Sequence, residues 1–249
     1  GKMTQSPKIK PGISPRLFLD FLIDRGVFLD ITDLGKILPP LEEKISLIDM
    51  PDDVKAAYGN IMHDLKGALH TPDGSAAISN ILQMGLSYPD KPYGRNPIMS
   101  TKTEGYVLAE PENLINYATG TLLPKEERLV DIVKQEISEG RNCFIYCSYT
   151  GEGEGNVIHR LGEIVETHCN LRNRVCVINS TSPAPNKREE YIKKQAAKGI
   201  KVFLINPKCC ETGLDFCFDY EGQWYNYPTI IFYQLTYELA VLWQASRRH

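Results

Sequence analysis

No run of about 18 consecutive apolar residues occurs in the 249-residue chain, so no membrane-spanning helix is expected. The first residues, Gly1-Lys2-Met3-Thr4-Gln5, lack a basic start leading into an apolar core, and no signal peptide is expected. A dominant charge is also lacking. Lys and Arg total 28 against 31 Asp and Glu, for a net charge of −3, which excludes a histone-like polycation. The acidic excess lies wholly in residues 1–120, and the remainder is balanced. A local phosphate-binding strip is compatible with that balance, because steering follows the local field and not the total. No Gly-x-x-x-x-Gly-Lys-Ser/Thr exists, so the chain has no P-loop with which to cradle a nucleoside triphosphate. No Ser or Cys nucleophile motif with a nearby histidine is evident, and His63, His70, His159, His168 and His249 are scattered.

Cys-x-x-Cys pairs are absent too. The seven cysteines all fall in the second half: Cys143, Cys147, Cys169, Cys176, Cys209, Cys210 and Cys217. Cys143, Cys147 and Cys176 sit in apolar runs that read as strands, where a thiol behaves as a small hydrophobe. A zinc site built from Cys143, Cys147, Cys209 and Cys210 would need two thiols of one strand to converge on a tetrahedron, which a three-residue spacer disfavours. Reduced thiols of a cytoplasmic protein, with no bound metal, are therefore expected.

What is present is ordinary globular composition, 42% hydrophobic and 24% charged, and enough length to bury a core. Residues 1–12 read as a frayed terminus. Ser14-Pro15 caps a helix over 14–25, with Leu17, Phe18, Phe21 and Leu22 at helical spacing and Gly26 closing it. Glu42 to Met50, after Pro39-Pro40, reads as a strand. Asp52-Asp53 open a helix whose Val54, Ala57, Tyr58, Ile61, Met62 and Leu65 form one stripe. Ala76 to Leu86 reads as another helix, and turn formers over 87–111 as a long connection.

From Pro124 the pattern becomes a strict alternation. Helices are expected over Lys125–Glu139, Gly155–Thr167, Lys187–Lys198 and Tyr237–Ala245. Strands are expected over Asn142–Tyr149, Arg174–Ile178, Lys201–Ile205 and Thr229–Tyr233. Short, wholly apolar strands alternating with helices predict an α/β fold with a parallel sheet covered on both faces. Ligands of such sheets bind at the carboxyl ends of the strands. Here those ends are Ser148-Tyr149-Thr150-Gly151, Asn179-Ser180-Thr181, Asn206-Pro207-Lys208 and Gln234. Gly151-Glu152-Gly153-Glu154-Gly155 has the wrong glycine spacing for a dinucleotide fingerprint, and its glutamates would repel a pyrophosphate. A loop running onto a helix N-terminus still suits one phosphate. The pair Arg247-Arg248 suits phosphate stabilisation, or complements a helix dipole as a basic helix end.

The ordered series Phe144-Ile145-Tyr146-Cys147-Ser148-Tyr149-Thr150, Lys187-Arg188-Glu189, Phe203-Leu204-Ile205-Asn206-Pro207-Lys208, Thr212-Gly213-Leu214-Asp215, Pro228 to Gln234 and Gln244-Ala245-Ser246-Arg247-Arg248 resembles motifs IV, V and VI of superfamily-two helicase motors, and within them the Swi/Snf-type DNA translocases. Leu38-Pro39-Pro40-Leu41-Glu42-Glu43 and Tyr58 resemble the stretch that joins the two motor lobes. The resemblance covers most of 30–65 and 124–249, and a bacterial or phage-type member is expected. It implies a RecA-like (P-loop NTPase-type) second lobe over 121–249, preceded by a mainly helical linking segment over 1–120. It further implies that ATP with Mg2+ lies between two lobes of the parent protein, the first supplying the P-loop. Arg248 would take the first arginine position of the finger motif that Gln244 opens, with Arg247 beside the nucleotide. Gly213 and Asp215 match nucleotide-facing positions. Thr150, Gly151, Lys208 and Thr212 match positions on the DNA backbone, where contacts orient without reading sequence.

Two departures stand out. Cys210-Glu211 replaces the usual paired glycines, and Asp215 replaces Asn. The chain is expected to end inside motif VI, before its second arginine, and to be inactive as an ATPase alone. Its expected partners are DNA and the first lobe of the same parent. The rival readings are a non-enzymatic α/β module binding nucleic acid or protein, and a nucleotide-dependent enzyme such as a dehydrogenase or glycosyltransferase.

Overall fold

A computed structural model gives the structure of the chain, describing residues 16, 18–23, 25, 42–150, 153–179, 183–210 and 217–236. Two compact units divide it, Gly1–Leu47 and Ile48–His249. In the first, Phe18–Leu22 forms a single π-helical turn within the segment expected to be helical. The strand expected over Glu42–Met50 is not formed. Its alternating residues face solvent, Ile45 at 88% and Leu47 at 93% exposure. Alternation makes a strand only where a neighbouring strand and a buried face receive it.

The second unit begins with helix α1, Asp52–Leu69, whose two leading aspartates complement the helix dipole. Val54, Ala57, Ile61, Leu65 and Ala68 form its buried stripe, as the 3.6-residue period requires. A short helix α2, Pro72–Ala76, is capped by Thr71, whose hydroxyl accepts from Gly74 N at 3.0 Å. Helix α3, Ile78–Ser87, replaces the helix expected over 76–86 with a later start. It packs on α1 through Ile81 and Met84, and the Tyr58 hydroxyl donates to Gly85 O at 3.0 Å. The expected long connection contains a small antiparallel pair, β1 Ile98–Met99 and β2 Val107–Ala109, whose Ile98, Leu108 and Ala109 join this helical core.

Then follow α4 (Pro124–Ser138), β3 (Cys143–Tyr146), α5 (Ile158–His168), β4 (Val175–Ile178), α6 (Arg188–Ala197) and β5 (Val202–Ile205). A hairpin, β6 (Cys217–Tyr220) and β7 (Gln223–Asn226), precedes β8 (Thr229–Phe232). Strands β4-β5-β3-β8 form one parallel sheet in that order, with Cys143 opposite both Val202 and Thr229. Expected and observed elements agree across this region, apart from the hairpin, which was not anticipated. The expected helix over 237–245 lies outside the described residues.

The order of connections dictates the layers. The chain passes from β3 over β5 to β4, then reverses to reach β5. Right-handed crossovers in opposite directions put their helices on opposite faces. Accordingly α4 and α5 cover Cys143, Ile145, Val202 and Leu204, while α6 and the hairpin cover Phe144, Tyr146, Ile178 and Phe203. No described helix is long and apolar enough to cross a membrane.

Candidate functional site

After β3 the chain turns toward α5 on one face. After β5 it turns, through Pro207–Cys210, toward the hairpin on the other. Strands β3 and β5 are neighbours, so their departing chains diverge and a crevice opens between their carboxyl ends. A cavity of about 420 Å³ lies there. Ser148, Tyr149 and Thr150 line it from the end of β3, and Asn206, Lys208 and Cys209 from the end of β5. Gly153, Arg188 at the start of α6, and Gln83 of α3 complete its wall.

Asn206 ties the two strand ends together. Its Nδ2 donates to Ser148 O at 2.8 Å and to Thr150 Oγ1 at 3.1 Å, and its Oδ1 accepts from Lys208 N at 2.9 Å. Gln234, beyond β8 and 1% exposed, braces the other side. Its backbone O accepts from Ser148 Oγ at 2.9 Å, its Oε1 from Tyr149 N at 3.2 Å, and its Nε2 donates to Gly155 O at 3.2 Å. These bonds satisfy polar groups that a buried strand end would otherwise strand without partners.

The charge of the cavity is one-sided. Arg188, only 7% exposed, and the exposed Lys208 line it, and no carboxylate does so among the described residues. Arg188 Nη1 approaches Cys209 O at 3.5 Å. Burial pushes the Cys209 thiol up, with the Arg188 charge opposing it, so the sulfur stays protonated. The nearby Glu154 is engaged elsewhere: its carboxylate accepts from Asn96 N at 3.0 Å and from Asn96 Nδ2. Two cations with hydroxyl and amide donors, in a partly dry crevice, suit an anion such as a phosphodiester.

The helical segment is bolted to the sheet end beside this cavity. Asp90, 3% exposed, meets Lys125 Nζ at 2.6 Å, and that ammonium lies 4.6 Å from the Tyr233 ring centroid. Burial pushes the Asp90 carboxyl up, against the pull of Lys125, Gln234 and Arg95. Arg160 pairs with the fully buried Glu126 at 2.6 Å and lies over the Tyr93 ring.

Of the residues singled out from sequence, Thr150 and Lys208 share the cavity and are joined through Asn206. Gly151, Thr212, Gly213, Asp215, Gln244, Arg247 and Arg248 lie outside the described residues. Asn206 and Gln234 stood among the polar strand ends without a role. Arg188 stood in the motif series without a role, because a Lys-Arg-Glu tripeptide does not disclose that its middle residue turns inward. Gln83 carried no signal, lying mid-helix in an unassigned segment. Among the described residues no group of three His, Cys, Asp or Glu side chains could hold a metal ion.

No family model matches the chain, and no curated protein matches it. Among solved structures it is similar to the crystal structure of the C-terminal part of the Fun30 ATPase domain. The TM-score is 0.54, over 85% of this chain and 80% of that one, at 12% sequence identity. The fold is that of a RecA-like lobe. The parallel four-stranded sheet flanked by helices is what the alternation after Pro124 led one to expect.

Proposed function

We propose that the chain is the second lobe of an ATP-dependent DNA helicase or translocase of Swi/Snf type. The observation that carries the reading is the cationic crevice at the ends of β3 and β5, lined by no carboxylate among the described residues, in which Asn206 joins Thr150 to Lys208. In this reading the crevice holds the nucleic-acid backbone, with Thr150, Gly151, Lys208 and Thr212 donating to phosphate oxygens. The opposite partner is a first lobe of the parent protein. Lacking a P-loop, this chain depends on that lobe to grip ATP and Mg2+. From this side Gly213, Asp215 and Arg247 would face the nucleotide. Arg248, oriented with Gln244, would neutralise charge developing on the transferring phosphoryl group.

Two measurements test it. The isolated chain should hydrolyse no ATP with or without DNA, and DNA-stimulated turnover by the pure chain contradicts the assignment. In the two-lobe parent, Arg248→Ala should lower kcat by about 10³–10⁵ while leaving the fold intact, and an unchanged kcat removes the arginine from the mechanism. A second reading, a nucleic-acid-binding module without turnover, draws on Cys210-Glu211 standing where the motor family has glycines. It keeps the crevice as a binding site but predicts no catalytic effect of Arg248→Ala.

A further inference from the structure

Gln83 belongs to α3, outside the parallel sheet, yet its side chain lines the same cavity as Thr150, Arg188 and Lys208. The end of α3 lies directly on the loop between β3 and α5. A Cβ added at Gly155 would fall 3.1 Å from Ser87 Cβ and 3.2 Å from its Oγ, so loop backbone and helix pack closely there. A Cβ at Gly153 would lie 3.8 Å from Gln83 Nε2 itself. Asn96, downstream of α3, grips the intervening Glu154. The two amides in the cavity differ in how they are used. The Asn206 amide is committed to Ser148, Thr150 and Lys208, whereas the Gln83 amide bonds no other side chain among the described residues.

Resting on the reading above, we infer that Gln83 is a strand-contacting residue. Its Nε2 donates to a phosphate oxygen of the backbone held by Thr150, Arg188 and Lys208. The helical segment thereby sets where the strand lies in the crevice, so the site is built from two parts of the chain and not from the sheet alone. A neutral amide suits this place, since it adds a directed donor without a further charge beside two cations.

The test uses the full chain and a duplex DNA oligonucleotide, with affinity measured over a series of salt concentrations. Gln83→Glu exchanges the donor for a like charge and should weaken binding about three- to tenfold. Gln83→Lys should tighten binding and steepen the slope of log K against log salt by about one phosphate contact. All three side chains have similar helix propensity, so circular dichroism and the unfolding midpoint should not move. A packing role for Gln83 would instead lower the unfolding midpoint of both variants. Lys208→Ala is the control. If it weakens binding while both Gln83 variants bind as the parent does, the inference about Gln83 falls and the reading of the crevice stands. If Lys208→Ala also leaves affinity unchanged, or the chain binds no duplex, both fall.

Discussion

The two faces of the parallel sheet are covered by different means. One carries two helices, α4 and α5, and its core is aliphatic: Leu129, Val130, Val133, Leu161 and Val165 over Ile145, Val202 and Leu204. Among the described residues the other carries one helix, α6, which buries Arg188, Ile192 and Ala196. Beside α6 this face is covered by rings. Phe144 stacks on Phe203 at 5.0 Å, and Tyr227 meets both, at 5.1 and 5.3 Å. The hairpin adds Phe218, stacked on Tyr225 at 5.6 Å. Large rings cover wide apolar area per residue, which lets a short hairpin contribute to covering a sheet face. It also frees the start of α6 to bring Arg188 into the crevice.

The contrast can be broken most sharply at its centre. Phe203→Ala should cost about 3–5 kcal/mol of stability in urea unfolding, since neither Phe144 nor Tyr227 can follow the lost ring. On the aliphatic face Leu161→Ala should cost less, about 2–3 kcal/mol, because the aliphatic side chains of α4 and α5 can settle into the gap. An equal or larger loss there would show that both faces bear alike. Tyr227→Phe removes the hydroxyl that donates to Ile200 O at 2.7 Å and should cost about 1–2 kcal/mol by leaving a buried carbonyl short of a partner. The smallest change, Ile145→Val, should cost about 0.5–1.5 kcal/mol. Combining the substitutions sharpens the comparison. Phe203→Ala and Tyr227→Phe touch and should be non-additive. Phe203→Ala and Leu161→Ala, on opposite faces, should add within about 0.5 kcal/mol.

The same contrast explains what could be read before any coordinates. The strands Phe144–Tyr146, Val175–Ile178 and Val202–Ile205 are apolar throughout because both faces are covered, and such runs are legible in isolation. The hairpin was not. Cys217-Phe218-Asp219-Tyr220 and Gln223-Trp224-Tyr225-Asn226 mix polar and aromatic residues. Their turn is Glu221-Gly222, with φ of 54° and 79°, a primed-turn geometry that Asn-Gly advertises more plainly. The reading of Glu42–Met50 as a strand failed for the opposite reason: the alternation was there, but among the described residues no neighbouring strand pairs with it. In the site, Thr150 and Lys208 were found because they end strands within an ordered motif series. Gln83 was not, and Arg188 stood in that series without a role, because a cavity wall is a meeting of elements distant in sequence, and no local pattern records such a meeting.

The thiols of the sheet have a consequence of another kind. Cys143 and Cys147, in and just beyond β3, and Cys176 in β4 are all buried, and burial pushes the Cys143 thiol up to about 12. Cys169 and Cys217 are partly exposed. An alkylating reagent at neutral pH therefore meets two tiers. Among the described thiols the outer pair reacts from the native state, while the inner three, like the buried Cys209, wait for the structure to open. Mass spectrometry of the labelled chain over time would time the opening of the sheet, with natural residues as the clock.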